Sequence, residues 1–460
     1  MPLRPPAPIT APGPRGAVML RSIGAIRRDP LRFLSSMRDE YGAVVQFPIP
    51  QPPTYLVSDV DAVRRVLVSN ARAYGKRTQQ YSTLSLVTGE GLLTADPEPW
   101  RVQRPLVQPA FHRAGLDLVA AHVRDAVDRL LARWTRYDGV VVDVDAAMMR
   151  TALEVVGSSL FSSDLSEDAA QLADATLAAL DVVVKKARTP LPAPMWVPTP
   201  TNIVLRRAVG RLDAAVDAML RDRAAHPLPD GAAPRDLLDL LLAAHGDDGS
   251  TLSRRQVRDQ VVTFVVAGHE TVASALTWAW QLLATAPAVH ARVLAEVDAV
   301  LGGRSATFDD LPSLPWTAAV FDEVLRLYPP AWLITRRALV DDELAGVAVP
   351  AGALVIISPW IVHRDPGAWP EPERFAPSRF LDADGSRRRD VPATPAYLPF
   401  GAGPRLCIGR DMALLEGVLV LASLVAHVDL EPVGPAPRAV PLVTIRPAGG
   451  LPMRVRVRRP

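Results

Sequence analysis

Phe400 to Glu416 reads FGAGPRLCIGRDMALLE and contains the only cysteine of the 460-residue chain, Cys407. Gly401, Gly403 and Gly409 surround it, and an apolar helical pattern, about Ile408–Val425, begins at once behind it. A sulfur placed just ahead of a helix meets that helix's partial positive end, which favours the thiolate, the form that ligates metal. The glycines let the backbone turn tightly and aim N–H groups at the sulfur. Phe400 can shield it from water, and Arg405 offers a cation for an anionic group. Two plainer readings compete. A lone cysteine is commonly a small buried hydrophobe. A glycine-rich loop opening a helix can cradle phosphate, although neither G-x-G-x-x-G nor G-x-x-x-x-G-K-[ST] is completed here.

Three other groupings carry chemistry. Ser253 is placed to cap a long helix that Pro287 closes, and that helix contains AGHET, Ala267 to Thr271. An acid and a hydroxyl inside an apolar helix need partners, because burying either alone is costly. Zinc is excluded, since Ala273 stands where H-E-x-x-H requires its second histidine. Gly268 with Thr271 predicts a local opening of the helix. Glu323 and Arg326 are three apart, and Trp100 and Arg104 four apart, so each pair shares a helix face. Taken alone, the first is an ordinary ion pair and the second an ordinary amphipathic helix.

The rest of the chain frames these groups. Residues 1–16 form a Pro-rich arm expected to be extended or disordered. Strand-like runs follow at 43–47 and 54–57, then a mostly helical pattern to about 327, including Arg113–Trp134 and Arg207–Ala225. The apolar stretch TPLPAPMWVPTP, residues 189–200, reads as either a lid or a loop packed on the body. Strands are expected again at 353–357, 442–445 and 453–457. With no repeat and no linker, the chain reads as one mainly helical body with a minor strand-rich part.

Composition narrows the function. With 49% hydrophobic residues the chain is neither disordered nor fibrous, and a formal charge of +2 argues against a nucleic-acid binder. One cysteine forbids an internal disulfide, so secretion gains no support. The apolar run 261–267 is interrupted by His269 and Glu270, and the N-terminal prolines are unlike a signal peptide. A soluble, cytoplasmic protein is expected.

Phe400, Gly403, Cys407 and Gly409 together reproduce F-x-x-G-x-x-x-C-x-G, which resembles the haem-ligand loop of the cytochrome P-450 superfamily. The resemblance implies one mainly α domain over 17–460 with small β-sheets and one haem b, with Cys407 on the iron and Phe400, Gly403, Arg405 and Gly409 around it. E-x-x-R is similar to the family's Glu–Arg–Arg cluster, completed here by Arg374 in PEPERF. Trp100 and Arg104 would contact a haem propionate, as would Arg336, with adjacent Arg337 leaving the register open. His363 is a weaker candidate. AGHET is similar to A-G-x-[DE]-T, which implies a proton relay for Glu270 and hydroxyl support of activated oxygen for Thr271. Ala267 and Ala275 would be pocket walls, and residues 74–92, 189–200 and 332–334 match substrate-contacting regions in position.

The implied activity is a monooxygenase that inserts one atom of O2 into an apolar organic molecule. No flavin or nicotinamide motif is visible, so electrons from NAD(P)H would come through a separate ferredoxin or flavodoxin-type donor. The arginines 387–389, Arg405 and Arg410 read either as a basic docking face for that donor or as a solvated charged surface, and a monomer is expected. A peroxide-driven peroxygenase would not need Glu270 and Thr271, and a silent haem-binding partner would be expected to lose them or Cys407. Both alternatives are therefore disfavoured.

Overall fold

The computed structural model describes residues 9–48, 53–112, 115–136, 138–162, 169–187, 189, 193–229, 232–244, 252–388, 390–391 and 393–458. Among these, helices predominate, and twelve short strands form four small sheets, the composition expected from the sequence. The strands are β1 (Val44–Phe47), β2 (Thr54–Val57), β3 (Tyr74–Gly75), β4 (Val141–Asp143), β5 (Ile334–Ala338), β6 (Asp342–Leu344), β7 (Val347–Val349), β8 (Leu354–Ile357), β9 (Val428–Pro432), β10 (Ala439–Pro441), β11 (Ile445–Pro447) and β12 (Pro452–Val457). The expected domain resolves into two compact units whose segments interleave. The first is Met1–Ser82, Arg326–Arg374 and Arg389–Cys407; the second is Thr83–Leu325, Phe375–Arg388 and Ile408–Pro460.

The first unit is built on a five-stranded sheet, β1-β2-β8-β5-β3, in which only the β2–β8 pairing is parallel. All four residues of β1 and of β2 are buried, which explains their unbroken apolar character. Gln46 and Thr54 are the polar exceptions, and Gln46 fastens the N-terminal arm. Its Oε1 accepts from the N–H groups of Thr10 and Ala11 at 2.7 and 3.2 Å, and its own N–H donates to Pro12 O at 2.8 Å. Thr10 and Ala11 supply the N–H donors that their proline neighbours lack. The arm is thus pinned from Thr10 onward, against the expectation of a loose segment; residues 1–8 lie outside the described residues.

The second unit is organised by the long helix Arg254–Thr285. Ser253 and Gln256 close a capping box at its start, and Pro287 begins the next helix. By length and apolarity alone this helix could cross a bilayer, but 83% of its most apolar window is buried inside the protein. The helix Val144–Phe161 lies against it so closely that a Cβ on Gly268 would sit 2.8 Å from Val156 Cγ2. The helix Arg410–His427 is fixed similarly: a Cβ on Gly417 would land 2.1 Å from the Phe321 ring. β12 is the middle strand between β4 and β9.

Three sequence expectations change. Of the strand expected at 442–445, residues 442–444 are instead the turn of the β10–β11 hairpin and Ile445 opens β11; the ladder is kept short by the missing N–H groups of Pro441 and Pro447. The helix expected at Arg207–Ala225 begins earlier, at Pro200, capped by the Thr199 hydroxyl. That cap lies inside the stretch 189–200, and the described part of the stretch is fastened down rather than free. Asn202 Nδ2 donates to Pro194 O and Val197 O, both at 2.8 Å, and Lys186 Nζ to Ala193 O at 2.9 Å. Residues 190–192 lie outside the described residues.

Candidate functional site

In the first unit the cysteine loop closes on itself: Cys407 N–H donates to Phe400 O, and Leu406 N–H to Gly403 O, each at 3.0 Å. The Cys407 side chain is exposed, and the following helix begins three residues later at Arg410. Two of the three glycines are required by geometry. Gly401 and Gly403 have φ of 70° and 68°, and a Cβ on Gly403 would stand 2.0 Å from Leu67 O. Gly409 is different. Its φ is −89°, and the nearest neighbour of an added Cβ is Phe111 Cε1 at 3.8 Å, so the expected need for glycine does not hold there.

Arg336 is buried on β5 while Arg337 is exposed. Arg336 Nη1 donates to Thr335 O at 2.9 Å and reaches Tyr81 Oη at 3.5 Å. Sequence reasoning missed its neighbour Lys76, which is buried with its ammonium 4.5 Å from the centre of the Tyr81 ring. Burial, reinforced by the like charges of Arg336 and Arg405, pushes the Lys76 ammonium well below its ordinary range. The available signal was its rarity: Lys76 is one of three lysines in the chain. Three basic side chains thus gather in the first unit, with Lys76 buried among them. A soft sulfur donor in the same unit completes a set that fits haem, which brings an iron and two carboxylates.

The structural cluster departs from expectation at one residue. Glu323 is fully buried, and the arginine facing it is Arg379, with Nε 3.4 Å from Oε1; Ala376 N–H donates to the same oxygen at 2.9 Å. Arg374 instead pairs with Glu371 at 2.9 Å on the surface, where its side chain is 66% exposed. Glu371 has a φ of 48°, a turn that keeps the two on the same outer edge. Arg326 works in the first unit, donating to the carbonyls of His363, Pro372 and Arg374 at 2.8, 2.7 and 3.1 Å. His363 is structural as well. Its Nδ1–H donates to Arg326 O at 2.9 Å and its Nε2 accepts from Leu398 N–H at 2.7 Å, two residues ahead of Phe400. Burial holds its pKa down at about 3, so the neutral ring that makes both bonds persists.

In the second unit, every residue of the long helix from Val261 to Trp280 is buried except Ala267, Gly268 and Thr271. Their spacing puts these three on one face, a single accessible spot on an otherwise closed stretch of helix. Ala275, expected as a pocket wall, is closed off. The predicted opening is absent as well: the helix is continuous, and Thr271 Oγ1 donates back to Ala267 O at 2.8 Å. Gly268 serves the approach of Val156 instead.

Glu270 is buried and turns the other way. It shares a face with Ser274 and Trp278, which donate to Ile445 O at 2.7 and 2.9 Å, and its Oε1 accepts from Thr444 Oγ1 at 3.1 Å. Burial raises its pKa to about 7 against the opposing pull of Arg446 and Thr444. His269 is buried too, with Nδ1 donating to Val265 O at 2.5 Å and a pKa lowered by burial to about 4. Trp100 and Arg104 are half-buried one turn apart on the helix Pro97–Val107. Of the arginines expected to receive a redox partner, Arg387 is tied to Asp322, and Arg410 to Asp411 at 2.8 Å. Arg405 belongs with Lys76, and Arg389 lies outside the described residues.

Comparison with known proteins agrees with this geometry. The family model described as Cytochrome P450 matches residues 11–447. Cyclooctat-9-en-7-ol 5-monooxygenase of Streptomyces melanosporofaciens is 38% identical, with 94% of this chain and 91% of that protein aligned. Pentalenene oxygenase of Streptomyces avermitilis is 34% identical over 98% of both chains. The crystal structure of CYP175A1 from Thermus thermophillus superposes with a TM-score of 0.78 at 31% identity, covering 97% of this chain and 100% of that one. A match along nearly the whole length, joined to the cysteine loop and the acid–hydroxyl helix, places this chain in the cytochrome P450 family, whose cofactor is haem b.

Proposed function

We propose that this protein is a haem-thiolate monooxygenase that oxygenates a terpenoid-type apolar substrate, with electrons supplied by a separate ferredoxin in the cytoplasm. The observation that carries the reading is the glycine-held loop that presents the exposed Cys407. The substrate class rests on the relatives named for cyclooctat-9-en-7-ol and pentalenene.

Haem, when bound, would supply the activation of O2, and a cysteine thiolate holding its iron would add electron density. Cys407 would hold the iron. Lys76, Arg336 and Arg405 would neutralise the carboxylates, with Trp100 as a further donor and Arg104 as a further counter-ion. Thr271 stands on the accessible spot of the stretch 261–280, where its hydroxyl can donate to a bound ligand after leaving Ala267 O. Glu270, with a pKa of about 7, can hold and give up a proton near neutral pH.

The test is spectroscopic. Reduced protein under carbon monoxide should give the Soret band of thiolate ligation, and Cys407→Ala should abolish it with all turnover. A band typical of histidine ligation in folded wild type would overturn the assignment. Titrating ferric protein with pentalenene and cyclooctat-9-en-7-ol, against fatty-acid and steroid controls, reads the substrate class. Turnover with NADPH alone, before any ferredoxin and reductase are added, would refute the need for a partner.

A further inference from the structure

Thr444 occupies the turn of the β10–β11 hairpin, and two features of that turn are fixed by the long helix. Ser274 and Trp278 both bond to Ile445 O, so the turn cannot drift along the helix. One helical turn earlier on the same face, the Thr444 hydroxyl donates to Glu270 Oε1 within a buried environment. Behind Thr444, Arg446 is buried with Nη2 2.6 Å from Asp145 Oδ2, and Asp145 also accepts from Thr277 Oγ1 at 3.1 Å. Asp145 lies on the helix Val144–Phe161 and Thr277 on the long helix, so the pair clamps three elements together.

Glu270 and Thr271 are neighbours in sequence, yet they serve different surfaces. Thr271 stands with Ala267 on the accessible spot, while Glu270 stands with Ser274 and Trp278 against the hairpin. Successive helix positions are about 100° apart, so the carboxyl cannot serve the Thr271 side while it holds Thr444.

We propose that Thr444 is a positioning residue that holds the Glu270 carboxylate on the hairpin side of the long helix, with the Arg446–Asp145 pair behind it setting the local charge. The inference rests on the reading of Glu270 as a proton relay. The charged groups around Glu270 are Arg446 from β11 and Asp145 from the neighbouring helix, while His269 beside it stays neutral. A hydroxyl donating to a carboxylate favours the ionised form, as does Arg446; Asp145 opposes them. Thr444 therefore has two effects: it fixes where the carboxyl points, and it widens the pH range over which that carboxyl is ionised.

The experiment follows the protonated-carboxyl infrared band of Glu270 in the intact ferric holoenzyme, isolated by subtracting Glu270→Gln. Wild type should titrate near pH 7. Thr444→Val keeps the shape and removes the donor, so its midpoint should move to higher pH. Thr444→Ser should restore it, which a merely structural role would not require. An unchanged midpoint in Thr444→Val, or a Thr444→Ser variant that behaves like it, overturns the proposal. Product formed per NADPH in Glu270→Gln tests the relay separately. If that ratio is normal while Thr444→Val still moves the band, the positioning role stands and the relay reading falls.

Discussion

Lys76 in the first unit and Glu270 in the second are both ionisable, both buried, and held by opposite means. The charges acting on Lys76 are those of Arg336 and Arg405, which share its sign. Those acting on Glu270 are mixed: Arg446 attracts, Asp145 repels, and Thr444 gives a hydrogen bond. Basic side chains gathered around a buried lysine suit a region that binds an anionic group. A buried acid balanced near neutral pH is a poor permanent counter-ion, and the second region is fitted to exchange a proton. One region binds and the other transfers.

The contrast can be broken most forcefully through the rigidity of the first region. Gly403→Ala combines a left-handed backbone with a Cβ 2.0 Å from Leu67 O, and should cost more than about 4 kcal/mol or abolish haem retention. Gly409→Ala, in the same motif, should stay within about 0.5 kcal/mol. Denaturant midpoints and the carbon-monoxide spectrum check both. A third buried charge, Glu323, supplies a control that neither binds nor transfers. Arg379→Ala should destabilise by about 3 kcal/mol, because it strips a partner from a fully buried carboxylate. Arg374→Ala should fall within about 0.5 kcal/mol, as expected of an exposed pair. Equal costs at 374 and 379 would restore the original assignment of the cluster.

Lys76→Met sharpens the comparison by acting in two directions. Haem-free protein should gain about 1–2 kcal/mol, because a desolvated cation among cations is removed. Burial holds the folded Lys76 pKa below the ordinary 10.5, so between those two values the unfolded chain binds more protons. Wild-type haem-free stability should therefore rise with pH through that window, and the rise should vanish in Lys76→Met. Transfer of haem to an acceptor protein should quicken about tenfold, equivalent to about 1.4 kcal/mol. In the second region, Thr271→Ala should leave folding within about 0.5 kcal/mol, since only an i→i−4 side-chain bond is lost. Product per NADPH should fall several-fold while peroxide release rises. Wild-type coupling with a substrate that carries no hydroxyl would sink the role of Thr271.

The legibility of the sequence followed the locality of the physics. The cysteine loop could be read because its determinants are contiguous: glycines at fixed offsets, one sulfur, an apolar helix behind. The long helix was legible at both ends, where Ser253 and Pro287 act within a few residues. Arg379 was missed because Arg-Phe recurs within a few residues, at 374–375 and 379–380. The useful signal was acidic context. Glu371 and Glu373 flank Arg374 and satisfy surface arginines, whereas the five residues before Arg379 contain no acid, so its partner had to be distant. Lys76 and the Thr444–Glu270 bond were illegible for a related reason. The first is defined by residues about 260 and 330 positions away, the second by one 174 positions away. The helix opening expected at Gly268 failed because a small residue was read as backbone freedom when it provides room for Val156.

The interleaving of the two units also sets a timetable. The first unit needs Met1–Ser82 and the segment ending at Cys407, with some 240 residues of the second unit made between its first two pieces. β4, at Val141–Asp143, must wait for β12, more than 300 residues later, before it has any strand to pair with. A nascent chain halted after the long helix would hold β1 and β2 without the β8 that pairs with β2, and a helix bearing Glu270 without its hairpin. Such a chain exposes an unpaired sheet edge and a buried-type acid to water, both hazards during synthesis. The first unit therefore stays incomplete until the segment ending at Cys407 has been made, and haem can be held only after that point.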